Sequence, residues 1–357
     1  MVLMLHAGRK SKRRILALSL AALFVSIASA CRAADFVGSQ ACAQCHPTEF
    51  QKQSASHHAH SLQPIEGSLL GAALLKAGHS PDGRLRYEEN AGKILIYEES
   101  VPQPVVLEWA FGAGAQGSTP VGLLGDQLIE HRFSYYSRAG GLAPTFGHVS
   151  RASTPIAELG VLQDKRTVSN CFNCHATGLQ RSGSEFRLTG LRPGVQCERC
   201  HGPGSTHIQA AERGTSKDEV RREIVNPGRF PARAQIEICG GCHRLPMPGM
   251  GEEPELEDPV TVRFAPIGLL ASRCFRASKT ISCLACHDPH SDARPRGDFS
   301  YSEACLGCHV TDRKPVKLCR RVQKANCLPC HMQQAQLESY LQFTDHRIRV
   351  YPVNSRR

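Results

Sequence analysis

A chain of 357 residues with 41% hydrophobic content can hold one large or two ordinary domains, so length restricts little. Only 6% of residues are aromatic and there is one Trp, while Cys and His stand at 17 each, so the unusual residues are ligand types rather than core formers. The formal charge of +11 looks like a nucleic-acid footprint, but five of the 43 basic residues fall in the first thirty positions, which hold no acidic residue, and the remainder carries +6.

The chain opens on Arg9, Lys10, Lys12, Arg13 and Arg14, followed by an apolar run from Ile15 to Ile27 and then Ala28-Ser29-Ala30 before Cys31. A basic start, an apolar run too short for a permanent span and a small-residue cleavage site read as a signal peptide over 1–30. An uncleaved anchor is the other reading. Export places the protein in the periplasm or beyond, argues against nucleic acid, and puts the cysteines where free thiols do not persist. Cys31 stands where an acylated cysteine would tether a lipoprotein to a membrane; simple cleavage leaves the protein free.

The segment 31–65 carries the first of seven Cys-x-x-Cys-His motifs, Cys42/Cys45/His46. A β-rich spacer is expected over 80–140, because Arg84 to Glu88, Lys93 to Glu98 and Val105 to Phe111 are rich in β-branched and aromatic residues between turn formers such as Asn90, Gly92, Pro102 and Pro104. A loosely structured wrapping loop is the alternative there. Over 165–350 follow Cys171/Cys174/His175, Cys197/Cys200/His201, Cys239/Cys242/His243, Cys283/Cys286/His287, Cys305/Cys308/His309 and Cys327/Cys330/His331. Random placement of these residue types would give roughly 0.04 such motifs, so seven are not accident.

On one helical turn, residues i and i+3 share a face, so two thiols can reach the two vinyl groups along one edge of a haem, and the following His lies under the iron. Each motif therefore predicts a covalently attached haem c with its proximal ligand. Zinc ribbons would close on four thiolates without needing a His after every second Cys, and redox dithiols leave the His equally unexplained. About 27 residues per motif beyond Cys171 cannot build a conventional core around each, which leaves the haems themselves as the interior. The expected fold is mainly α with much irregular structure, a haem-packed multihaem cytochrome with a small antiparallel β insert. With about two propionates per haem, the basic excess reads as propionate partners and solvated surface. Cys274 and Cys319 remain unassigned, and a disulfide between them is the natural guess.

Specific phrases resemble a known family: "VGSQACAQCHPTEF" followed by "SHHAHSL", then "CFNCHATG", "GVQCERCHGPGSTH", "ISCLACHDPH", "CLPCHM" and "TDHRI". They are similar to the multihaem cytochromes that include the tetrahaem partner of hydroxylamine oxidoreductase, the cytochrome c-554/c-prime-like proteins. The resemblance runs from Val37 to Ile348, with the spacer least characteristic. It implies sixth iron ligands at His58, His207, His290 and His346, with His148 of "PTFGH" as a further candidate. His207 and His290, lying close to their own motifs, are expected to serve neighbouring haems. Seven motifs exceed the tetrahaem pattern, and Gln333 stands where such cytochromes often carry Pro.

These readings predict an exported electron carrier with mostly bis-His haems, passing electrons between other redox proteins or a quinol-linked membrane complex. Met ligation has few candidates, since only Met247, Met250 and Met332 remain after the signal, and His57, His60, His79 and His131 are reserve ligands. The competing reading is an oxidoreductase with one open haem acting on a small nitrogen or sulfur compound.

Overall fold

The computed structural model describes residues 34–148, 151–182, 185–246, 259–293, 301–309 and 326–351. The expected signal segment 1–30, Cys31, Cys319, Met247 and Met250 lie outside them. No helix among the described residues is long and apolar enough to cross a membrane.

The largest unit is an antiparallel sheet of seven strands: β1 (Leu62–Pro64), β2 (Arg86–Asn90), β3 (Lys93–Tyr97), β4 (Val105–Phe111), β5 (Thr119–Leu124), β6 (Gln127–His131) and, after a side hairpin of β7 (Phe133–Tyr136) and β8 (Gly141–Pro144), β9 (Gly160–Leu162). The order is β2-β3-β4-β5-β6-β9, with β1 pairing the far end of β4 on the β3 side. The strands thus reach beyond the 80–140 span on both sides. The sequence expectation of a mainly α fold with a small insert is corrected here: several antiparallel sheets stand beside short helices, and neither class dominates. The strands were legible, but β1 and β9 are three-residue segments too short to carry a periodic signal.

Val105 and Leu107 of β4 enter a core with Ile65, Leu70, Leu74, Tyr87, Ile96, Ile129 and Leu159. The register then shifts between Leu107 and Trp109 opposite β5. A bulge reverses the in-out alternation. Ala110 therefore faces that core, while Trp109 and Phe111 turn to the other face and pack on Val168 and Phe172. Phe172 lies inside the second motif and is fully buried, with its ring 6.0 Å from Trp109 and 5.2 Å from Phe111. The sheet is a support for the second motif rather than a detached spacer.

Beyond Ala176, the buried apolar side chains among the described residues are Ala210, Ile236, Ile267, Leu269, Phe275 and Leu341. Short helices end on the motifs here, as at Cys197–His201, Ala232–His243, Tyr301–His309 and Leu328–His331. Earlier in the chain, Asp164 caps the helix Lys165–His175 by accepting from the Thr167 N–H, and the motif fills the last turns.

Candidate haem sites

Each motif is a tight turn. The His46, His287 and His331 amides donate to the carbonyls of Cys42, Cys283 and Cys327 at 2.9, 2.9 and 3.0 Å, which sets both thiols and the imidazole along one side of the backbone. The imidazoles are then oriented by backbone carbonyls. The Nδ1 atoms of His175, His201 and His331 lie 2.9, 2.8 and 3.1 Å from the carbonyl oxygens of Ser61, Val225 and Arg349. A carbonyl only accepts, so each Nδ1 carries the proton and Nε2 keeps its lone pair for a metal. The buried Nδ1 of His287 has no partner among the described residues.

The non-motif histidines of the resembling phrases have the same arrangement. His207 Nδ1 donates to Val220 at 2.8 Å, His346 Nδ1 to Thr344 at 2.9 Å, and His290 Nδ1 lies 3.2 Å from Asp288 Oδ1. Each faces a motif imidazole: His46 and His207 have ring centres 6.4 Å apart, His243 and His58 6.1 Å, His201 and His290 6.2 Å, and His287 and His346 6.4 Å. Two metal–nitrogen bonds of about 2 Å plus two ring radii span about 6 Å, so every pair is spaced to take one iron between its Nε2 atoms. Direct ring stacking would be closer, and the T-shaped His58–His243 pair at 65° has no shared ring face at all. Burial pushes His58, His243, His287 and His346 below the ordinary imidazole range, leaving them in the neutral form that a metal ligand requires.

The partners belong to different parts of the chain. His207 follows the third motif but faces the first, and His290 follows the fifth but faces the third. His175, His309 and His331 have no facing imidazole among the described residues. His148 instead places Nε2 3.5 Å from Glu130 Oε2 on β6. His131, held in reserve as a ligand, is a core residue: Nδ1–H donates to the Leu159 carbonyl at 2.7 Å, Nε2 accepts from the Tyr87 hydroxyl at 3.0 Å, and burial lowers its pKa to about 4. His79 forms a β-bridge with Arg86, and His57 pairs with Asp292 at 2.9 Å.

Thiols of different motifs meet. Cys42 hydrogen-bonds with Cys197, Cys174 with Cys242, Cys239 with Cys283 and Cys305 with Cys327. Cys45, Cys200, Cys308 and Cys330 are exposed, and none of these four belongs to the thiol pairs just named. The first cysteine of every motif is half-buried; each of these four is a second cysteine, while the second cysteines Cys174, Cys242 and Cys286 are half-buried.

Glu198, inside the third motif and buried, accepts backbone N–H groups of Val37, Gly38 and Gly204 at 2.8, 2.7 and 2.9 Å. It ties the entry of the first motif to the third. Arg199 beside it donates to the Asn173 carbonyl of the second motif at 2.9 Å and lies 3.9 Å from Cys242 Sγ of the fourth. Gly194 has a positive φ of 79°, and a Cβ there would come within 1.9 Å of the Ala59 carbonyl. Only glycine lets this strand-end press on the turn that carries His58. Cys274 has no disulfide partner among the described residues, and Cys319, its expected partner, lies outside them.

Sequence reading missed Asp288, Asp292 and Glu198, because a lone acidic residue beside a motif carries no spacing signal. The carbonyl acceptors are equally silent, being backbone atoms.

Residues 146–202 match the family model for cytochrome c554 and c-prime, a stretch holding the second and third motifs. Two solved structures are similar at 16% identity. The outer cell wall cytochrome OcwA matches over 88% of this chain and 79% of its own, with a TM-score of 0.49. The undecaheme cytochrome from the S-layer of Carboxydothermus ferrireducens matches over 89% of this chain and 52% of its own, with a TM-score of 0.43. No curated protein matches the chain. Residues 146–202 are thus similar to multihaem cytochromes of the c554 and c-prime type, for which haem c is the group to test against the residues present. The thiol pairs, the protonated Nδ1 atoms and the free Nε2 atoms form a donor set that fits that group.

Proposed function

We propose that this chain is an exported electron-transfer protein holding seven covalently attached haems, most of them with two histidine ligands. The observation that carries the reading is the set of four facing imidazole pairs at 6.1–6.4 Å, each joining a motif histidine to one from another segment. When bound, each haem supplies a one-electron ferric/ferrous couple. The chain's own residues do the rest: fourteen motif thiols fix the groups covalently, His46, His201, His243 and His287 hold one axial position, and His207, His290, His58 and His346 close the other. Closed, low-spin sites change little on reduction, which suits conduction rather than bond making. The meeting thiols support close approach of neighbouring haem edges, and the exposed thiols support haem edges within reach of an external redox partner.

Export through the 1–30 segment, a periplasmic or extracellular location and a tether at Cys31 belong to this reading, with other redox proteins or a quinol-linked membrane complex as partners. The test is intact mass of the exported holoprotein together with dye exchange and turnover assays. Seven haem masses above the processed peptide and rapid exchange with a redox dye are expected. Sustained turnover of hydroxylamine, nitrite or tetrathionate, lost on changing one residue at an open haem, would instead establish an oxidoreductase.

A further inference from the structure

The segment Cys283–Asp292 serves three motifs at once. It begins as the fifth motif, and three residues past His287 it presents His290 to His201 of the third, with the two rings within 5° of parallel. Its remaining polar atoms hold the turn bearing His58, which faces His243 of the fourth. Asp292 Oδ1 accepts the His57 backbone N–H at 2.7 Å and lies 2.9 Å from His57 Nδ1. The Pro289 carbonyl accepts from His58 itself.

Asp288 completes the arrangement. Its Oδ1 takes the His290 backbone N–H at 3.1 Å and stands 3.2 Å from Nδ1, while Oδ2 lies 3.6 Å from Lys52 on the helix that leads to His58. An anionic acceptor on Nδ1–H fixes ring orientation and raises the basicity of Nε2.

We infer that Asp288 and Asp292 are positioning residues that seat the distal imidazoles of two different haems, so that one loop couples ligation at the third and fourth irons. The inference rests on the bis-His reading. The two carboxylates act differently, and that separates them experimentally. Asp288 touches its imidazole directly, so Asp288→Asn changes the electron donation of His290 and shifts one midpoint potential upward with the haem still low-spin. Asp292 acts through the backbone of His57, so its loss frees the His58 turn and lets exogenous ligands compete.

The experiment uses full-length holoprotein with its haem content verified by mass. Carbon monoxide binding to the reduced protein and the high-spin signal of the oxidised protein are read for His58→Ala, Asp292→Ala and Asp292→Asn. His58→Ala should open one haem, Asp292→Ala should bind carbon monoxide at one haem about tenfold more readily than the parent, and Asp292→Asn, which keeps an amide oxygen for the N–H, should restore most of the closure. If Asp292→Ala gives no holoprotein, Asp292→Ser, too short to reach both donors, takes its place. An opened haem in His58→Ala with an unchanged Asp292 variant overturns the coupling and leaves the bis-His reading standing. No opened haem in His58→Ala overturns both.

Discussion

Between Ile65 and Leu159 the interior is closed by side chains: isoleucines, leucines and valines from six segments meet with almost no exposure. From Cys197 onward the described residues instead spend their order on hydrogen bonds that aim imidazoles and join motif turns, with a small cluster around Ile236, Leu269 and Phe275. The first region closes its interior with side chains alone. The second has facing imidazoles, thiols and carbonyl acceptors in register but, among its described residues, little buried apolar area, and apolar area is what offsets chain entropy. Folding of the two regions should therefore respond differently to the same loss of haem.

The largest expected effect is on haem-free protein. Amide exchange should show lasting protection in β3 to β6 and little between 197 and 351; comparable protection in both would break the contrast. At the junction, Phe172→Ala removes the side chain that seats the second motif on the sheet and should cost about 3–5 kcal/mol. That loss is measured by denaturant titration of the holoprotein. A smaller change is expected inside the first region on acidification. His131 is held at about 4, against 6.5 when exposed, because burial disfavours its cation. Its folded pKa lies below the unfolded one, so the unfolded chain takes up the proton first. Its stability contribution is complete above pH 6.5 and is lost as pH falls towards 4, by an amount on the order of 3 kcal/mol. The pH slope of the module's stability should flatten in His131→Gln. Smaller again is Glu198→Gln, which keeps an oxygen acceptor but gives up charge-assisted bonds, at about 1 kcal/mol. Melting of the holoprotein reads that change, and Glu198→Ala should exceed it by leaving buried N–H groups unpaired.

The motifs were fully legible in the sequence because their chemistry is local: five consecutive residues fix a cofactor. How deeply each sits was not, since the exposure of Cys45, Cys308 and Cys330 depends on which segments cover the turn and not on the motif itself. The facing histidines were legible only through the resembling phrases, since nothing in the spacing of His207 or His290 says which motif each will face. The sheet was visible where alternation runs for five or more residues, as in Lys93–Tyr97, and invisible where pairing depends on a three-residue strand brought in from far away. The bulge in β4 was also hidden, although it decides which face Trp109 and Phe111 occupy. His131 shows the reverse error: a histidine counted as an available ligand proved to be a satisfied core residue, a state defined by Tyr87 and Leu159, which are distant in sequence.

The central claim is that the four facing imidazole pairs are axial pairs. Electron paramagnetic resonance of the oxidised holoprotein tests it most directly, recorded on the parent and on His207→Ala, His290→Ala and His346→Ala. The account predicts that each variant, at unchanged haem content, gains the high-spin signal of one haem and loses one low-spin signal. Spectra identical to the parent in all three would contradict it.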